Sequence, residues 1–161
     1  MSTASGDLPR SVFGMLLAQE GGDHILLPNV AVIEVGNVFD AEPGSGSAPW
    51  WRGTVRHEGV AVPAVDFEVL NGGTAGGARR ARAVFVQTFG RLLEQPVIAL
   101  LCRGHPHLVD VEPNALVPAA LTGTDRDDLV LCRARLGNTL VLVPDLDTLE
   151  AELAHAGAAA R

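Results

Sequence analysis

GTVRHEGVAVPAVDF, Gly53 to Phe67, decides how this chain is read. Gly53 to His57 alternates like a strand, and Glu58-Gly59 is a tight turn. A second, apolar strand then runs from Val60 to the closing Asp66. Pro63 has no N–H to give to a ladder, so the second strand lies on an edge or at a bulge there. A hydrophobic strand with a proline-marked edge suits contact with another protein and implies no chemistry.

Working outward, the same grammar recurs. Glu20-Gly21-Gly22 separates two apolar runs, Ser11 to Gln19 and Asp23 to Leu27, and predicts a first hairpin. Pro28-Asn29 follows, with Asn29 as an N-cap, so Val30 to Val35 reads as a short helical turn projecting Glu34. The polar loop Asn37 to Pro49 ends in Trp50 and Trp51. Either one ring packs on the core and the other half-covers it, or one is an exposed interface anchor. Phe67 to Asn71 is a helical turn stopped by Gly72-Gly73. Ala81 to Phe89 and Pro96 to Cys102 read as strands, and His107 to Val111 as a further one. Pro118 argues against a regular element in Pro113 to Thr124. Leu129 to Leu136, Gly137-Asn138 and Thr139 to Val143 form a second clear hairpin. The chain closes on a helix capped by Asp147, with Glu150 as the reciprocal capping partner. Leu146, Leu149 and Leu153 form its apolar stripe, and Gly157 stops it. Roughly eight to ten short strands and one firm helix predict an all-β sandwich or pair of barrels.

Composition removes several classes of function. The 161 residues are 47% hydrophobic, enough for one domain or two small lobes on a common core. Apolar runs stay well short of the roughly twenty residues that cross a bilayer. The first ten residues lack the basic and apolar regions of a signal peptide, so a cytoplasmic location with no membrane insertion is expected. The net charge of −7 disfavours nucleic acid. With no lysine and no tyrosine, Schiff-base chemistry, a P-loop lysine and a tyrosine acid are excluded. The serines at 2, 5, 11, 45 and 47 lie in the tail, at the first strand's start or in a loop, and none sits in a nucleophile elbow. The glycines at 72, 73, 76 and 77 precede Arg79, Arg80 and Arg82 and a strand, which is no nucleotide fingerprint.

Three constellations deserve weighing. Cys102, His105, His107 and Cys132 have the donor types of a tetrahedral zinc shell, but not the spacing of a finger. The simpler reading of the two cysteines is a pair of reduced, buried thiols. His57, Glu58 and Asp66 offer acid–base groups, but neighbours on a strand point to opposite faces, and Asp66 is better placed to cap the next turn. Asp125, Asp127 and Asp128 lack the ligand spacing of a calcium loop and read as a solvated segment. Neither a metal nor another cofactor is expected, and no nucleophile–base pair survives. The residues favour a binding or scaffold protein over an enzyme.

At this point the chain resembles a family. GTVRHEGVAVPAVDF is similar to the characteristic segment of CheW-like chemotaxis adaptors, with Gly53, Gly59, Pro63, Val65 and Asp66 matching. LLPNVAVIEV (Leu26 to Val35), ALLCRGHPHLVDV (Ala99 to Val111) and LVLCRARLGNTLVLVPDLDTL (Leu129 to Leu149) are similar to further segments. In the second of these Gly104 matches and Arg103 replaces an acid, while in the third Asp145 falls at the usual acidic position. Trp50, Trp51, Phe67 and Glu68 look more like the type IV pilus branch than the flagellar one.

The resemblance covers about residues 11–155 as one CheW-like domain, between a flexible tail at 1–10 and a short tail at 156–161. It implies two five-stranded β-barrel-like subdomains with short helices and a C-terminal helix. It implies a non-catalytic adaptor joining the cytoplasmic tip of a methyl-accepting chemoreceptor to the regulatory domain of a CheA-like histidine kinase, here for pilus-driven motility. Val32, Glu34, Val35 and Gly53 match kinase-side positions. Glu58, Gly59, Arg103 and Gly104 match receptor-side positions. One departure stands out: the family usually has Arg before the turn glycine, and this chain has Glu58. The alternative function is a small-ligand or metal-binding β-barrel.

Overall fold

Turn chemistry folds neighbouring apolar runs back on themselves in three places. In the computed structural model, which describes residues 12–36, 48–73 and 82–158, β1 (Val12–Ala18) returns through Gln19–Asp23 into β2 (His24–Pro28). A 3-10 turn, Asn29–Ala31, leads to β3 (Val32–Val35). β4 (Trp51–His57) returns through Glu58-Gly59 into β5 (Val60–Val65). Helix α1 (Phe67–Leu70) is followed by β6 (Arg82–Gln87), β7 (Val97–Val111) and β8 (Leu116–Ala119). β9 (Val130–Leu136) returns through Gly137-Asn138 into β10 (Thr139–Pro144), and α2 (Leu146–His155) closes the chain. Glu58 and Gly59 both have positive φ, 49° and 79°. That is the turn whose twist suits a two-residue hairpin, and glycine fills the second position without strain.

The strands run in the order β3-β6-β7-β1-β2-β10-β9-β8, with β5 also on β7 and β4 on β5. β7 divides this sheet into two lobes. Its first half lies between β6 and β5, and its second half pairs with β1. One lobe is β3 to β7. The other is β1, β2, β8, β9 and β10, set against the end of β7. Each has five strands of its own, and neither closes its hydrogen-bonded ring among the described residues. The expected pair of barrel-like subdomains is therefore present in open form.

Alternation then distributes the side chains over three cores. Val62, Ala64, Ala83, Phe85 and Ala99 fill the first lobe. Leu26, Ala134 and Val141 fill the second. Their strand neighbours Val65, Val84, Leu100, Ile25, Leu27 and Leu142 point the opposite way, into a core shared with Phe67, Leu149 and Leu153. Strands buried on both faces read as unbroken apolar runs.

Several expectations are corrected. Val30 to Val35 is not helical beyond Ala31: the β-branched residues take strand β3, and Pro28 precedes the 3-10 turn with no side-chain cap from Asn29. The strands predicted before and after residues 103–106 are one 15-residue strand. Between the pairs Ala18–Arg103 and Leu16–His107 the β7 backbone bulges, which places Gly104 and Pro106 where regular ladder bonds are not needed. Pro118 lies inside β8, tolerated because among the described residues β8 has only β9 beside it. Asp145, not Asp147, caps α2, accepting from the N–H groups of Asp147 and Thr148. Glu150 is not its capping partner. Cys102 is buried as expected, but Cys132 is exposed. The tail at 1–10, Arg79, Arg80 and the glycines at 76 and 77 lie outside the described residues.

Candidate partner-binding surface

Among the described residues the first lobe is open at a seam between β3 and β4, each of which has one paired neighbour there. On β4, alternation sends Val55 and His57 inward and Arg56 outward. His57 stacks on Phe85 of β6, ring centroids 4.6 Å apart. Its Nδ1 lies 3.2 Å from Oε2 of Glu34 on β3. Glu34 stands directly opposite Phe85, and the register slips between Val32 and Glu34, leaving Ile33 as the extra residue. Such a bulge re-aims the side chains around it. Ile33, Glu34 and Val35 are consequently all exposed on an edge strand, with Val30 standing out just before it.

The structure thus sets Glu34 and Val35 on the surface of β3, and Val32 half-buried against the shared core. Gly53 is buried on β4, four residues before His57. It has φ 106° and lies where β4 bulges against β5. Pro63 pairs with Thr54 beside this bulge, one residue before β5 joins β7. Of the two alternatives Pro63 offered, the bulge applies: β5 has β4 on one side and β7 on the other, so it is not an edge strand.

The four positions that the resemblance matches to a receptor side do not form one patch. β5 and β7 run parallel with Ala64 opposite Ala99. Glu58 and Gly59 lie five or more residues back from this level, and Arg103 and Gly104 four or more beyond it. Extended strands would separate the two pairs by roughly 30 Å. All four are exposed. Arg56 donates to the carbonyl of Gly59, 3.0 Å, and ties down the hairpin tip.

The other constellations resolve differently. Among the described residues, no three His, Cys, Asp or Glu side chains converge to hold a metal. Burial pushes the Cys102 thiol up to about 11, so it is protonated at neutral pH. His57 meets Glu34, not Glu58, and Asp66 caps α1 by accepting from Val69 N–H. Both tryptophans are half-buried on the shared core, so neither is a freely exposed anchor.

The reading of Asp125 as solvated is corrected. Its side chain is almost wholly buried. It receives both Nε and an Nη of Arg133, the side-chain amide of Asn71 and the N–H of Thr122. Arg133 also reaches Asp23, and Asn71 accepts from Arg126 N–H. The Arg133 guanidinium holds the Asp125 carboxyl well below the usual carboxylate range. This clasp ties the loop after α1 to two turns of the second lobe. Glu150 was missed in a similar way. It is fully buried, and its carboxylate accepts from the N–H groups of Gly90 and Leu92, at 2.8 and 3.0 Å. A Cβ at residue 90 would sit 2.3 Å from that carboxylate, which is why glycine stands there. Elsewhere, an apolar cleft of about 380 Å³ opens in the second lobe between Val12, Leu26, Val111 and Leu116.

A family model, the CheW-like domain, matches residues 14–153. The chain belongs to the CheW-like domain family. The fold agrees with the crystal structure of the scaffolding protein TtCheW from Thermoanaerobacter tengcongensis, with a TM-score of 0.69 at 16% sequence identity. That match covers 86% of this chain and 92% of the other. No curated protein matches the chain. The CheW-like domain is a scaffold and adaptor module of chemotaxis, so the seam and the hairpin tip are read as surfaces, not as parts of a reaction centre. No described helix is long and apolar enough to cross a membrane.

Proposed function

We propose that this protein is a non-catalytic cytoplasmic adaptor that joins chemoreceptor tips to the regulatory domain of a CheA-like histidine kinase. The observation that carries this reading is the CheW-like match over residues 14–153, together with an edge strand that presents Ile33, Glu34 and Val35 to solvent. Such an edge, with apolar residues around one charge, suits recognition by strand or surface pairing. The kinase side is β3, with Val32, Glu34 and Val35, and Gly53 beside it. The receptor side divides between the hairpin tip, Glu58-Gly59, and Arg103-Gly104. The domain spans about residues 11–155. Trp50, Trp51, Phe67 and Glu68 support service in a type IV pilus system. Calorimetry with the purified regulatory domain of a CheA-type kinase from the same organism tests the adaptor role. Saturable binding is expected, and no heat at concentrations well above those in a signalling array would sink it. Deleting the gene is expected to abolish twitching while leaving swimming intact, and the reverse result removes the pilus assignment.

One observation favours a second reading, a small-ligand-binding barrel. The apolar cleft beside Val12 and Leu116 is in the size range of small-molecule sites. A fluorescent apolar probe that shows no binding there removes it.

A further inference from the structure

We infer that His57 is the positioning residue of the kinase-side surface: it fixes the Glu34 carboxylate so that it meets a cationic side chain of the partner. The inference rests on the adaptor reading and adds to it the chemistry of the contact.

The argument begins with unequal burial. The His57 side chain is 9% exposed and that of Glu34 is 57% exposed. His57 stacks on Phe85 and lies on the strand that carries the buried Val55. It is a buried group reaching an exposed one. A polar pair with one half this exposed adds little to stability. Its main physical effect is on Glu34, whose long side chain loses rotamer freedom when one oxygen rests against a fixed ring. The second oxygen, Oε1, has no protein partner among the described residues. An exposed carboxylate held in one orientation, with an open oxygen, is preorganised for a donor from outside.

The neighbours define that donor. Ile33 and Val35 flank Glu34 on the edge strand, both exposed. The bulge at Ile33 turns this triplet outward. The chain carries a net charge of −7, which attracts a basic partner surface at long range. An Arg or Lys set among apolar side chains complements all three features, and Arg does so with the better fork geometry.

A double-mutant cycle tests the inference, with the regulatory domain of a CheA-type kinase from the same organism as the probe. His57→Phe keeps a ring for Phe85 and removes the polar nitrogens. Glu34→Gln keeps the shape and removes the charge. Each is expected to weaken binding roughly three- to tenfold, and His57→Phe is expected to have little further effect in the Glu34→Gln background. The salt dependence of binding is expected to flatten in both single variants. Equal losses from His57→Phe in the two backgrounds would overturn the inference, as would wild-type affinity in either single variant. His57→Gln, which keeps a polar group, is expected to recover part of the affinity, and it replaces His57→Phe in the cycle if that variant has lost the wild-type circular dichroism spectrum. If the wild-type protein itself does not bind the domain, the adaptor reading fails first.

Discussion

Two polar groupings hold parts of this molecule together, and they differ in where they put their charges. The clasp around Asp125 and Arg133 buries both partners and gives nearly every donor and acceptor a mate. The seam pair, His57 and Glu34, buries one partner and leaves the other half in water. Burial makes the first expensive to break, because a stranded charge has no solvent to turn to. Exposure makes the second cheap to break and easy to reach. The lesson is that a polar contact in this fold can be sorted by its more exposed member. Where that member is covered, the contact sets lobe geometry. Where it is open, the contact shapes a surface.

The sharpest way to break the comparison is to cut the clasp. Arg133→Met leaves Asp125 buried and unpaired, and is expected to cost about 3 kcal/mol, or roughly 6–12 °C in Tm, by thermal denaturation. His57→Phe in the same assay is expected to move Tm by a few degrees at most. Comparable losses would end the distinction.

Acid provides the next test. The folded-state carboxyl of Asp125 is depressed by Arg133, so its stabilisation is complete above the ordinary value of 3.8. It is lost as pH falls below that value through the depressed folded one. Denaturant midpoints measured between pH 5 and 2 should fall less steeply in Asp125→Asn than in the wild type.

The smallest effects belong to the hairpin tip. Glu58 holds a left-handed backbone that Asn adopts more readily. Glu58→Asn is expected to raise stability by roughly 0.5 kcal/mol, read as a slightly higher denaturant midpoint. Glu58→Arg is expected to leave Tm nearly unchanged while altering affinity for a receptor tip or kinase domain. Unaltered affinity for both would show that the tip lies outside the interfaces.

What could be read in the sequence was local. Glu58-Gly59 and Gly137-Asn138 announced their hairpins, Asp66 announced its cap, and the apolar runs announced strands, because each signal acts within a few residues. The family resemblance supplied the two-lobed arrangement that periodicity alone left open between sandwich and barrels. The failures share a cause. Glu34 and His57 are 23 positions apart in sequence, Asn71 and Asp125 54 apart, and Gly90 and Glu150 60 apart. Nothing near Asp125 says that Arg133 and Asn71 will surround it, so an acidic loop reads as solvated. Pro118 misled for a related reason. A proline forbids one hydrogen bond, and only the finished sheet shows whether that bond was wanted.

The long strand β7 has a consequence for how the protein is made. Both lobes need it, and it begins at Val97. β1 pairs at once with β2, but its second partner comes nearly a hundred residues later in the chain. Neither lobe can complete its core before that point, and contacts this distant in sequence slow folding. During synthesis the apolar faces of β1, β2, β5 and β6 therefore stay uncovered for several seconds. A chaperone that holds nascent chains should associate with this protein until β10 and α2 have emerged, because the second lobe and the shared core need them.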